Sequence, residues 1–192
     1  MTVTSSPFWL RWMPTFVGFI AGGELAIAIV GEMDSVGKTL VGGALAGAVI
    51  GGGQWLALRR WLKMPGWWIA ATSAGAMVGL MLGAALVGYE TGPAQLAIQG
   101  VVTGLAVGAA QGLMLRTRGI DGRWWALAMS PIWALGWLAS WAIGVDVERQ
   151  YTNFGLAGAL VATALSGAML VQLLDDVQAG GPEAAVADGA TL

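Results

Sequence analysis

The chain has no cysteine and no histidine, and only 10% of its 192 residues are charged. Without cysteine there is no disulfide, no thiolate metal site and no thiol nucleophile. Without histidine there is no imidazole base, no histidine ligand for haem or chlorophyll, and no zinc site of the common kinds. Ser73, Ser130, Ser140 and Ser166 lack an evident base partner, and no paired acidic motif falls in an apolar stretch, so neither an enzyme nor a metal site is expected. The shortage of charge says more than the missing residue types. Soluble domains carry about a quarter charged residues, whereas this chain is 57% hydrophobic with a mean hydropathy of +0.71. Its solvent is lipid. A formal charge of −2 also offers no basic face to a nucleic acid.

Charge-poor segments occur at about 14–31, 40–58, 68–88, 94–115, 125–145 and 155–174. Each is long enough to cross a hydrocarbon layer of about 30 Å. Only helices satisfy their own backbone groups there, so an all-α membrane protein of six transmembrane helices is expected, with 1–174 as a single domain. Met1 to Phe8 lacks the basic and apolar regions of a removable signal peptide, and the first helix is expected to direct insertion. Arg11, Arg59, Arg60, Lys63, Arg116, Arg118 and Arg123 fall on one side of this topology, and Lys38 and Arg149 on the other. That asymmetry puts both termini in the cytoplasm. Glu32, Asp34, Glu90, Asp146 and Glu148 gather on the opposite face, where hydration is expected. Residues 175–192, with Asp175, Asp176, Glu183 and Asp188, read as a disordered acidic tail.

A repeat runs through the spans with a period of 57. Gly53-Gln54-Trp55-Leu56-Ala57-Leu58-Arg59 maps onto Ala110-Gln111-Gly112-Leu113-Met114-Leu115-Arg116, and then onto Gly167-Ala168-Met169-Leu170-Val171-Gln172-Leu173, where only the apolar frame persists. Gly22, Gly79 and Gly136 coincide, as do Trp67-Trp68 and Trp124-Trp125. Three tandem hairpins (9–64, 67–118 and 124–175) are therefore expected around a pseudo-threefold axis along the membrane normal. Glycines recur every four residues at Gly43, Gly47 and Gly51, at Gly75, Gly79 and Gly83, and at Gly100, Gly104, Gly108 and Gly112. Such glycine-zipper grooves let helix backbones approach closely in a solvent that supplies no hydrophobic drive.

Few side chains inside the spans are polar. Glu24 is the one acidic residue well within a span, an expensive position that raises a proton or cation role, or a bond to Gln54, Gln99, Thr103 or Gln111. Gln54 and Gln111 are equivalent by the repeat and suit interhelical hydrogen bonding. Arg59, Arg60 and Arg116 suit lipid headgroups at the cytoplasmic surface. Trp9, Trp12, Trp55, Trp61, Trp67, Trp68, Trp124 and Trp125 read as an interfacial belt. Trp133, Trp137 and Trp141 form an i, i+4, i+8 stripe that could hold a carotenoid, a quinone or a partner helix, or simply fill the bundle.

The phrase Gly53-Gln54-Trp55-Leu56-Ala57-Leu58-Arg59-Arg60, followed by Gly66-Trp67-Trp68, resembles repeats of uncharacterised bacterial Trp- and Gly-rich multi-pass membrane proteins. The resemblance implies a bacterial cytoplasmic (inner) membrane and no particular activity. The residues favour a non-catalytic accessory or assembly subunit, with membrane lipids and either partner subunits or copies of itself as partners. A small transporter or channel using Glu24 is the alternative, and a binder of lipid, quinone or carotenoid a further one.

Overall fold

The computed structural model describes residues 6–145 and 154–179, which are helices and the turns between them. Asp146, Glu148, Arg149, Glu183 and Asp188 lie outside these residues. Helix α1 (Ser6–Trp12) passes through a 3-10 turn at Met13–Thr15 into α2 (Phe16–Val30). Pro14 sits in that turn, where its missing N–H is tolerated. Then follow α3 (Val36–Leu58), α4 (Trp67–Leu86), α5 (Pro93–Arg116), α6 (Gly122–Ala142) and α7 (Gly155–Ala179). Helix α2 stops at Gly31 (φ 73°), in the left-handed region that glycine enters without strain. Proline opens α5, and the Asp121 side chain caps α6 by accepting from the Arg123 N–H at 3.0 Å.

Five stretches are long and apolar enough to cross a membrane: Pro7–Val30, Val36–Leu58, Trp67–Leu86, Pro93–Arg116 and Gly155–Asp176. Five of the six expected spans are thus found, and α6 is not among them. Arg123, Ser130, Pro131, Ser140 and its tryptophans lower its apolarity, although its 21 residues match the length of the others. Helix α7 runs on through Asp175 and Asp176 to Ala179, past the boundary expected at residue 174. An i, i+4 hydrogen bond from Gln172 Nε2 to Asp176 Oδ1 (2.9 Å) supports that last stretch.

From α2 to α7 each helix packs against the next in sequence, and α7 returns to α2, so the helices close into a ring. Large apolar side chains such as Leu82, Leu86, Leu105, Leu113, Leu127 and Leu156 point outward and are exposed.

The contacts between helices repeat along with the sequence. A Cβ placed on Gly43 would meet the backbone of Ala76 and Met77, and one on Gly100 would meet Trp133 and Ala134. Both partners have moved by 57. Gly51 faces Thr72 and Ile69 while Gly108 faces Met129 and Ala126; Gly18 faces Val49 and Ile50 while Gly75 faces Ala106 and Val107. Hydrogen bonds across the helices obey the same shift: Ser73 Oγ donates to Ala44 O (2.8 Å), and Ser130 Oγ donates to Val101 O (2.9 Å). The buried face of α3, from Thr39 through Gly43, Gly47 and Gln54 to Leu58, reappears in α5 as Leu96, Gly100, Gly104, Gln111 and Leu115.

The third hairpin departs from this register. Ala168, expected at the place of Gln54 and Gln111, is exposed. The buried positions of α7 (Gly158, Ala159, Ala162, Thr163, Ser166, Gly167 and Leu170) follow those of α5 at an offset of 59. Leu170 therefore stands where the glutamines stand. Gly136 likewise faces Phe154 and Gly158 O, whereas its counterparts Gly22 and Gly79 face Ala46 and Thr103. The link from Ala142 to Gly155 is longer than that from Leu86 to Pro93, so the spacing of α6 and α7 along the chain departs from that of α4 and α5.

Close backbone approach makes the glycines intolerant of bulk. A Cβ on Gly79 would lie 2.7 Å from Thr103 Cα, and one on Gly104 would run into Met129 O. Gly79→Leu and Gly104→Leu should each cost about 1–3 kcal/mol or more by overpacking, read as a fall in the midpoint of thermal unfolding in detergent. Leu82→Ala, at a site 50% exposed, should shift that midpoint far less.

Candidate functional site

Near the basic end of the ring, four helices bring five buried polar side chains together. Gln54 (α3) and Gln111 (α5) are 2% and 0% exposed. Gln111 Nε2 donates to Gln54 Oε1 at 2.8 Å and to Thr72 Oγ1 at 2.9 Å. The indole of Trp68 donates to Gln54 Oε1 (3.3 Å), and that of Trp125 donates to Gln111 Oε1 (3.0 Å). Thr72 in turn donates to the Trp68 carbonyl one helical turn away at 2.8 Å. In a low-dielectric interior such a satisfied network is strong, and each member is costly to orphan.

Sequence reasoning located the glutamines and mislocated their partners. Trp68 and Trp125, expected in the interfacial belt, are fully buried, while their neighbours Trp67 and Trp124 are 73% and 60% exposed. A signal was present: each indole lies 14 residues after its glutamine, at the start of the following hairpin. The third sector has no glutamine. There Trp12, also fully buried, donates to the Thr163 carbonyl at 2.8 Å, and the hydroxyl oxygens of Thr15 and Thr163 are buried without a hydrogen-bond partner. Thr15 is the repeat counterpart of Thr72.

The remaining candidates are dispersed. Glu24 lies on the outer face of α2, exposed beside Ala21, Leu25 and Ala28, and none of the hydrogen bonds of Gln54, Gln99, Thr103 or Gln111 described here reaches it. Gln99 instead donates to Thr103 Oγ1 (3.1 Å) and Leu80 O (3.4 Å). The tryptophan stripe is split. Trp133 and Trp137 are buried in the ring, whereas Trp141 is 48% exposed. Phe154 meets both buried indoles edge-on, at centroid distances of 5.0 and 4.7 Å, and stacks on Phe19 at 5.3 Å. The interior space they line with Gly43, Ile50, Leu80 and Thr103 is about 20 Å³, room for a single water.

At the basic end, Arg59, Arg60 and Arg116 are exposed, and the Arg59 guanidinium lies 5.1 Å from the centre of the Trp55 ring. Arg123 pairs with Asp121 at 2.8 Å and holds that carboxyl down to about 2 through side-chain and backbone hydrogen bonds. On the opposite face Asp34 is paired with Lys38 (2.8 Å), which lowers its carboxyl, and Glu90 accepts from Gln95 Nε2 at 2.9 Å. Two of the carboxylates expected to be merely hydrated therefore have protein partners.

Replacing Gln111 by Leu orphans the Trp125 indole and removes both donors to Gln54 and Thr72. A stability loss of about 1–3 kcal/mol is expected. Adding Trp125→Phe should recover part of that loss, because removing both partners of a buried hydrogen bond costs less than removing one. A double-mutant cycle on detergent unfolding curves measures the coupling; additive losses would mean that the indole and the amide do not depend on one another.

No family model matches the chain, and neither a curated protein nor a solved structure matches it.

Proposed function

We propose that the chain is a non-catalytic membrane scaffold, an accessory or assembly subunit of a larger complex or of a homo-oligomer. In this reading α1–α2 and α3 to α7 make six membrane crossings, arranged as three hairpins about one axis, with both termini at the basic, cytoplasmic face of a bacterial membrane. One observation carries the reading: the axis of the ring is filled. The Gln54–Gln111 network closes one end, and the Phe19, Trp133, Trp137 and Phe154 rings leave about 20 Å³ between them. Ligand sites occupy roughly 300–1,000 Å³, so this packing favours a structural interior over a transport path or an internal quinone or carotenoid site. The 21-residue length of α6 and its place between α5 and α7 support counting it as a crossing despite its tryptophans.

The absence of cysteine gives a clean background for labelling. Single cysteines at Leu62 and at Glu90 should react with impermeant maleimide from opposite sides of sealed vesicles; the same sidedness at both would refute the crossing between them. Native mass analysis in mild detergent should show the chain in a complex or oligomer. A stable, lone monomer that copurifies with no other chain would overturn the scaffold reading.

A further inference from the structure

The outer surface between α3 and α4 holds an open apolar groove of about 660 Å³, lined by Ala48, Pro65, Gly66, Trp67, Ile69, Ala70 and Ser73. Its lining runs from the α3–α4 loop to Ala48, ten residues before the end of α3, which is about 15 Å down the helix at 1.5 Å per residue. That is half the thickness of a hydrocarbon layer, the depth of one leaflet. The groove floor is apolar because the one hydroxyl there is already used: Ser73 Oγ donates to Ala44 O at 2.8 Å. Two residues before Pro65, Lys63 takes a left-handed backbone (φ 48°), and Arg118, from beyond the end of α5, donates through Nη2 to the Lys63 carbonyl. Two exposed cations thus flank the loop that opens onto the groove.

The α5–α6 interface, its counterpart by the repeat, serves as an internal control. At the positions equivalent to Ala48, Gly66 and Ala70, the α5–α6 pair carries Leu105, Arg123 and Leu127, so larger side chains stand where the α3–α4 surface is open. Arg123 is moreover engaged by Asp121 (2.8 Å).

From this contrast we infer that the α3–α4 groove holds one acyl chain of an anionic phospholipid, with its phosphate between Lys63 and Arg118. The site rests on the membrane-spanning reading and adds a particular lipid at a particular place. The apolar lining suits an acyl chain, and the neighbouring cations suit a phosphate headgroup. Neither cation is among Arg59, Arg60 and Arg116, to which the sequence pointed for headgroup contact.

The test uses the full chain reconstituted in nanodiscs of mixed phosphatidylglycerol and phosphatidylcholine, released into mild detergent and weighed by native mass spectrometry. The wild type should retain one phosphatidylglycerol. Ala48→Leu with Ala70→Leu, which installs side chains the α5–α6 pair already accommodates, should lower that retention about tenfold, as a loss of about 1.4 kcal/mol would. Lys63→Gln with Arg118→Gln should keep a bound lipid and erase the preference for phosphatidylglycerol. Helical circular dichroism and nanodisc incorporation are followed in parallel. Unchanged retention in the leucine variant with normal incorporation overturns the groove alone, as does a second protein chain found there in place of lipid. Failure of the wild type to enter nanodiscs overturns the membrane reading beneath it.

Discussion

Helices in a hydrocarbon solvent are not driven together by water, so this ring depends on how closely their backbones can approach. The glycines of α3, α4 and α5 set that distance. At Gly43, Gly79 and Gly104 the neighbouring main chain occupies the space that any Cβ would need. Dispersion between touching backbones is summed along each helix pair, and a row of four-residue spacings keeps the contact continuous over several turns. Much else follows from this contact, including which side chains are turned inward, where the glutamines meet the indoles, and how leucine and valine side chains come to be turned outward.

The polar network is possible only because the backbones are already close. Gln111 reaches Gln54 and Thr72 across two helix interfaces, and both indoles close over the pair. A glutamine buried without such partners would cost several kcal/mol in hydrocarbon. With them, the amides fix the relative rotation of α3, α4, α5 and α6, because a helix turned by one residue would break bonds on both sides. The third sector solves the same problem with different chemistry. Leu170 needs no partner, Trp12 finds a main-chain carbonyl, and the Phe154 cluster fills the volume near Gly136.

Much of this was legible in the sequence. The helices, their order and the offset of 57 follow from apolar length and from motif recurrence, and the contacts of the first two hairpins keep that offset residue by residue. Burial of Gln54 and Gln111 was legible as well. Three features were not. The rotation of α7 depends on a longer link whose length no periodicity encodes, so Ala168 was matched to a position that Leu170 holds. The adjacent tryptophans Trp67 and Trp68 look alike as letters, yet they point about 100° apart on a helix, one outward and one into the core. Trp133, Trp137 and Trp141 share a nominal stripe, but the stripe leaves the interior before its third member because Trp141 lies near the end of α6.

The Trp12 indole on the Thr163 carbonyl joins the first described helix to the last. A chain emerges from the ribosome from its N-terminus, so Trp12 enters the bilayer long before residue 163 exists. During that interval its N–H, and the groove that Gly167 will later fill beside it, remain open to lipid, to water or to an insertion factor. The ring thus has a seam that synthesis closes last, and a chain stopped before α7 would leave the inner edge of α2 and the indole of Trp12 uncovered there.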